Sequence, residues 1–403
     1  MSVPARPVPN AATVVEYASI DGAAAITGVG ESDHTGVSNR TTKEIAAQAI
    51  ERAIADAGLN PADIDGIMYH PMGGDQFDDH DFRRHFGTHQ DLWVSTQGGG
   101  MRWAGTAAYD AAVAIRDGKA RHVLNSFAVA WATQRTEMVG GPGQAHAQNL
   151  VKQNLEVPVG LFPQPVYAAL MARRHMIEFG TSPADLAAVA TTMRRHANLT
   201  PSAVMHARTM TTDDYFASPI VADPLRKFDC CLISDGGGAY IMSSAEESRD
   251  MRARPVLIAG AALAIAGQPF WSLRPSITTT EIANAAPAAF AMAGVTPSDI
   301  DVLACYDPFT IITLMVVEDL GLCGKGEGGP FAAAGNLGLK GAVPTNTHGG
   351  LHSHAYVLGI AHVVELVRQL RGDAAAQVPG AETGVYAAST GSEGSVLVLR
   401  ADA

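Results

Sequence analysis

Cysteine is scarce: Cys230, Cys231, Cys305 and Cys323 are the only four in 403 residues. Their spacing fits no zinc site and they are too few for a disulfide framework, so a reducing interior is the expected compartment. Charge is sparse too, at 17% of residues, and basic side chains are outnumbered 28 to 40 for a net charge of -12. That balance excludes general nucleic-acid binding, whose affinity comes mostly from a basic surface, but leaves room for an anionic ligand on a local basic patch. No apolar run approaches the roughly 18 residues that a membrane-crossing helix needs, and the chain opens without a secretory pattern. A soluble, cytoplasmic protein is expected.

What is abundant is apolar side chain, 47% of the total, enough for a large core or a broad oligomer interface and too much for extended disorder. The length suits two or three domains, or one large fused body. The stretch from Val343 to Gly372 stands out. A polar turn with Gly349 and Gly350 delivers His348, His352, His354 and Tyr356 onto a helix whose Val357, Ile360, Val363, Val364, Leu366, Val367 and Leu370 mark it as buried. Titratable groups carried into a core cost stability unless they are used, which makes this stretch half of a candidate active site.

In chain order, residues before about Ile20 read as a Pro- and Ala-rich tail, and Ala24 to Val29 as a strand. Thr41 and Glu44 form a capping box for a helix that Gly58 ends, and LNPADIDGIMY leads into the next strand. The same pattern returns half a chain later. Thr278 and Glu281 read as a second capping box, and AGVTPSDIDVLACY (Ala293 to Tyr306) answers AGLNPADIDGIMY (Ala57 to Tyr69), the signature of a duplicated α/β unit. Three glycines then precede a helix from about Met101 to Arg116, and Val123 to Ala130 reads as a buried strand.

Trp131 to Arg226 differs in texture, with a GQAHAQN loop and the helices YAALMARRHMIEFG and SPADLAAVATTMRRHA, and reads as an insertion. The expected division is 1–130 with 227–254 as one half, 131–226 as the inserted loop domain, and 255–403 as the other half. GKGEGGPFAAAGNLGLKGAVP (Gly324 to Pro344) lacks Walker spacing and reads as a flexible loop. GVYAAST and SVLVLRA should form a hairpin across Gly391-Ser392-Glu393-Gly394.

The duplicated halves, the insertion's HMIEFGTSPADLAAVA, the run MTTDDYFASPIVADPLRKFDCCLISDGGGAYIM and the closing NTHGG, LRG and GSEG resemble the thiolase superfamily, in its sterol-carrier-protein-X-like branch, from about residue 20 onward. The resemblance implies an α/β thiolase fold with five αβαβα layers, a homodimer, and an acyl-coenzyme A thioester as substrate with no bound cofactor. It also shows departures. Met101 falls at the family's nucleophilic cysteine, Tyr306 at an asparagine that orders a catalytic water, Tyr356 at the histidine of Gly-His-Pro, and Ser389 at the second cysteine. Claisen chemistry needs a thiolate and a base, and both are missing.

Thiolase-like aldolases of bacterial steroid side-chain breakdown are the branch that this pattern resembles. They split a β-hydroxyacyl-CoA into a ketone and a shorter acyl-CoA, which needs a base, enolate stabilisation and an acid, with no covalent intermediate. The resemblance therefore implies Tyr306 and Tyr356 as the acid/base pair, with roles unassigned. His348 and Asp307 would tune or orient them, with His352, His354, Gly349, Gly350 and Ser389 shaping the site. Backbone near Met101 and Gly391 would face the enolate. A small OB-fold and zinc-ribbon protein completing a heterotetramer is implied by kinship, and VPVGLFPQPVY (Val157 to Tyr167) is compatible with an interface or an acyl tunnel.

Other readings of the same residues stay open. Either tyrosine could be a core residue with a satisfied hydroxyl. Cys305 should point to the opposite strand face and is assigned to the core. His348, His352 and His354 could hold zinc, but no carboxylate accompanies them at helical spacing. A Schiff-base lysine is disfavoured because Lys325 and Lys340 fall in Gly-rich loops read as exposed. Arg194 and Arg195 are the candidates for the coenzyme's phosphates, against a plain solvated helix face. A non-catalytic acyl-CoA or lipid-binding scaffold, or an acyltransferase with a nucleophile moved to a residue such as Cys305, are the competing functions.

Overall fold

The computed structural model describes residues 11–20, 22–71, 75–134, 152–161, 163–267 and 273–402. The Thr41–Glu44 box forms as read: the Thr41 side chain accepts from the Glu44 amide, and Glu44 answers at the Thr41 amide. It starts helix α1 (Thr42–Ala57), which Gly58 ends in the left-handed conformation. The apolar face of α1 lies on strand β2 (Ala24–Glu31) so closely that a Cβ on Gly28 would stand 2.4 Å from the Ala53 carbonyl. Only glycine permits that approach.

The second copy repeats this packing. Helix α4 (Ile282–Ala293) lies on strand β7 (Val256–Ala266), where a Cβ on Gly260 would stand 2.4 Å from the Ala289 carbonyl. After each helix comes a Pro-Asp turn and a strand, β3 (Gly66–Met68) or β8 (Val302–Cys305). The remaining strands of the large sheet are β1 (Ala12–Val14), β4 (Trp93–Ser95), β5 (His122–Ala130), β6 (Asp235–Ser244), β9 (Thr383–Ser389) and β10 (Glu393–Ala401). They run β8-β9-β10-β7-β2-β6-β5-β3-β4 across one sheet. In each half a parallel pair, β3 with β5 or β8 with β9, is followed by two antiparallel pairings. The halves join where β2 meets β7 at Ala25 and Ile26.

Helices α2 (Arg102–Arg116) and α5 (Ile360–Arg371) pack between the two half-sheets, with α1 and α4 outside them. This gives the αβαβα layering. Helices Gln164–Phe179 and α3 (Pro183–Leu199) come from the insertion, and α3 packs against the one-turn helix Gly350–Ser353.

Three expectations are corrected. Part of the tail is β1, which pairs antiparallel with β7 at Ala264–Ala266. It takes backbone that β2 leaves unpaired, β2 meeting only the other end of that strand. The Thr278–Glu281 capping box does not form. Glu281 turns into the core and pairs with Arg274 at 3.0 Å, and the amide and hydroxyl of Thr280 are bonded by the distant Asp319 instead. The Gly324–Pro344 stretch is no flexible loop, since Gly328–Ala333 is a helix seated on α3. The GQAHAQN motif lies outside the described residues.

Candidate active site

Tyr306 is the first residue beyond β8, and its amide donates to the Ala387 carbonyl at 2.9 Å. The parallel pairing with β9 thus runs one residue past the strand and fixes where the side chain starts. Tyr356 is anchored by its amide to Ser234 Oγ at 2.8 Å, and its ring stands edge-on to Trp131. The Tyr306 and Tyr356 side chains come together and act on one another's ionisation. Burial pushes both ionisations up. Their interaction then acts oppositely on the pair: it favours the Tyr306 phenolate and disfavours that of Tyr356.

Asp307 holds the turn that carries Tyr356. It is fully buried, and Oδ1 accepts from the Leu351 amide at 2.9 Å and lies 3.0 Å from His362 Nε2. A Cβ on Gly350, whose φ is +61°, would come within 2.1 Å of Asp307 Oδ2, so both the backbone angle and the space at Gly350 require glycine. Asn346, at φ 49°, accepts from the Cys305 amide at 2.8 Å and donates to its carbonyl at 2.9 Å, pinning the start of the turn to β8.

His348 and His354 are buried with their rings 4.6 Å apart, and His348 also stands edge-on to His362 at 4.7 Å. Burial, then the neighbouring imidazoles, hold both well below the usual histidine range, so both are neutral. His352 faces elsewhere, towards Asp307, Asp229 and the Phe228 backbone. The three histidines therefore do not converge as one metal triad.

Met101 begins α2 at φ 54°, and its carbonyl accepts from the Tyr386 hydroxyl at 2.7 Å. Its amide donates to the Leu358 carbonyl, which corrects the expectation that this amide is available to an enolate. Leu358 has φ 51°, and among the described residues three of the four non-glycine residues at positive φ, Met101, Asn346 and Leu358, lie around this site. Such strain gathers where surroundings over-determine the backbone. Gly391, at φ 89°, sits in the β9–β10 turn, which an Arg102–Glu393 ion pair ties to the start of α2. The Ser389 hydroxyl at the end of β9 is buried and has no hydrogen-bond partner.

Two basic candidates change character. Arg194 is buried, with Nε donating to Ser353 Oγ at 2.9 Å, and supports the Gly350–Ser353 turn instead of facing a phosphate. Arg195 is exposed and bonded to Thr192 Oγ1 at 2.7 Å. Lys325 is not in an open loop, since Glu318 and Asp319 hold its ammonium at 3.0 Å each and raise its pKa against burial. That pairing removes it as a Schiff-base nucleophile. Cys305 is buried in the cluster on the far face of β8, as expected. Cys231 packs on the tyrosines' side.

His362, Tyr386, Cys231, Glu31 and His34 were not singled out as site residues from sequence. For His362 a signal existed. His362, Glu365 and Gln369 recur at helical spacing on an otherwise apolar helix, and all three are buried.

Residues 268–400 match the family model described as the thiolase C-terminal domain-like family. Over 391 residues the chain is 34% identical to the 17-hydroxy-3-oxo-4-pregnene-20-carboxyl-CoA lyase of Mycobacterium tuberculosis, covering 94% of this chain and 100% of that one. It is 35% identical over 395 residues to the steroid side-chain-cleaving aldolase of Thermomonospora curvata, covering 95% and 99%. A solved structure described as the Ltp2-ChsH2(DUF35) aldolase superposes with a TM-score of 0.86 at 34% identity, over 96% of this chain and 99% of that one. Human mitochondrial 3-ketoacyl-CoA thiolase, at 15% identity and a TM-score of 0.68 over 96% of this chain and 100% of that one, shares the fold. The chain belongs to the thiolase superfamily, in the branch of thiolase-like carbon–carbon lyases that holds the steroid side-chain-cleaving aldolases.

Proposed function

We propose that the protein cleaves a bulky β-hydroxyacyl-CoA, in the first instance a steroid bearing the hydroxyl at its side-chain carbon, into a ketone and a shorter acyl-CoA. The observation that carries this reading is the meeting of Tyr306 and Tyr356, two phenols brought together where the resemblance places the catalytic centre. In the reaction, the Tyr306 phenolate takes the β-hydroxyl proton as the carbonyl forms. The carbon–carbon bond breaks, and its electron pair passes to the thioester enolate. Tyr356 gives its proton to the α-carbon and regains one from the neighbouring Tyr306. Protons and electrons balance within the pair.

We assign Tyr306 as the base because the neighbouring Tyr356 side chain favours its phenolate. Asp307 positions Tyr356 by holding the turn before it, and neutral His348 fills the space behind. The Gly391 turn is left as the backbone facing the enolate. Arg195 remains a basic group for the coenzyme. No thiolate is asked for: burial pushes the Cys231 thiol up, away from the ionised form. Cys231 still replaces Cys305 as the nucleophile that an acyltransferase reading would need, and trapping of an acyl-enzyme on it by mass spectrometry would favour that reading.

Leu155 and Val159, 63% and 72% exposed, support an apolar contact surface near the insertion. We propose a homodimer that binds a small OB-fold partner, in line with the two-protein description of the solved relative.

The test is incubation of the protein, with and without that partner, with a 17-hydroxy steroid acyl-CoA. Mass spectrometry should find the ketone and the short acyl-CoA in equal amounts, and no ketone in either arm would overturn the proposal. The pH profile should carry the tyrosine's mark. A base whose ionisation is raised is mostly protonated at neutral pH, so kcat/KM should climb with pH and reach no plateau below about pH 10. A plateau near neutrality, measured on buffers of constant ionic strength, would assign the base to another group.

A further inference from the structure

The end of β2 and the loop after it meet the segment before Tyr356 at a cluster that the chemistry above does not use. Glu31 Oε1 lies 3.8 Å from His34 Nε2 and 3.7 Å from His354 Nε2, and the three side chains are 6%, 0% and 1% exposed. All three potential donor atoms fall within 4.8 Å of one another. Arg368 engages the other oxygen of Glu31, while Oε1 is buried and accepts no hydrogen bond from the described residues. A buried acceptor left in this way is costly and calls for an explanation.

Neither imidazole supplies one, because both stand beyond hydrogen-bond reach of Oε1. A cation between the three groups would satisfy Oε1, exchanging for metal ligation the 3.3 Å bonds that His34 Nε2 makes with the Gly237 carbonyl and His354 Nε2 with Ser202 Oγ. Metal–ligand distances of about 2.0–2.1 Å in a tetrahedral zinc site put neighbouring ligand atoms roughly 3.4 Å apart, so the carboxylate oxygen and each imidazole nitrogen need close by only a few tenths of an ångström, with the two nitrogens already within 4.8 Å of one another. Two imidazoles and one carboxylate are a donor set that suits zinc. Glu31 and His34 line a cleft of about 500 Å³, with Ser202, Arg52 and Arg368, which gives an ion a path in. The Arg368 guanidinium on the second carboxylate oxygen takes the place that outer-shell partners hold around metal ligands.

We propose that Glu31, His34 and His354 bind one divalent transition-metal ion, zinc by their donor set, as a clamp that fixes the segment leading to Tyr356. The ion joins β2 to residue 354 from behind the acid/base pair and takes no part in breaking the carbon–carbon bond.

The experiment uses the full chain, without a histidine tag and expressed alone, stripped with chelator, loaded with zinc chloride and dialysed. Elemental analysis should return one zinc per chain. His34→Ala and His354→Ala should each lower zinc affinity by more than about tenfold, the loss that removal of even an outer-shell partner can cause. His89→Ala, at an exposed histidine, should leave zinc binding unchanged, as should Tyr356→Phe. Cobalt substituted for zinc should give visible d–d absorption that both ligand variants lose. Circular dichroism of the metal-free variants separates a lost ligand from a lost fold, and the two substitutions lie on different segments so that either suffices. Wild-type protein that keeps no zinc, or folded ligand variants that keep as much as wild type, would overturn the site.

Discussion

Replacing Tyr356 by Phe should lower kcat for ketone release by at least about tenfold, and by up to several thousandfold, the range for loss of a positioned acid or base. Tyr306→Phe should do the same. Each change removes one hydroxyl and keeps the ring, so the packing of Tyr306 near Gly359 and of Tyr356 against Trp131 survives. Thermal unfolding midpoints should therefore stay close to wild type. Because the two hydroxyls pass one proton between them in the proposed cycle, they act as a unit, and the double variant should fall little below the worse single one. Product formation by mass spectrometry, with KM measured separately, decides the matter. A loss confined to KM would mean that the hydroxyls merely bind substrate. Unchanged rates in both variants would remove the tyrosines from the chemistry and favour a non-catalytic acyl-CoA-binding scaffold.

How far the chain was legible depended on whether a residue's role was local. The Thr41–Glu44 box, the Gly58 stop and the β9–β10 hairpin are decided within a few residues, and all are where the pattern puts them. Duplication could be read because it repeats a local sentence, and even the glycines at the helix–strand contacts, Gly28 and Gly260, match. The second capping box shows the limit. Thr278 and Glu281 have the right spacing, but burial opposite Arg274 gives the carboxylate a stronger partner than a helix end. Nothing within four residues announces Arg274 as that partner. Arg194 and Lys325 were misread for the same reason, since their partners Ser353, Glu318 and Asp319 are chosen by packing. In the site, Tyr306 and Tyr356 could be found because they occupy motif positions. Glu31 and Tyr386 reach it from other strands and His34 from the loop after β2, and none carries a local mark.

Asp307→Ala should cost roughly 3 kcal/mol of stability and most of the activity together. The carboxyl group is fully buried and satisfies two donors, the Leu351 amide at 2.9 Å and His362 at 3.0 Å. Each donor left unsatisfied in the core costs about 1–3 kcal/mol. Loss of the Leu351 contact frees the turn from Gly350 to Ser353, and Tyr356 lies three residues beyond it. Displacement of a reacting group by as little as about 1 Å can cost a hundredfold in rate. Asp307→Asn separates the two effects. Its carbonyl oxygen can still accept from Leu351, but its amide cannot accept from His362 with the same oxygen as strongly, so stability and rate should fall between those of wild type and the alanine variant. Urea unfolding gives the first quantity, and single-turnover cleavage gives the second. If the asparagine variant is as stable as wild type yet as slow as the alanine variant, Asp307 acts on the substrate itself, and the positioning role fails. If both variants cleave at the wild-type rate despite lost stability, the turn does not set the place of Tyr356, and the tyrosine must be held by Ser234 alone.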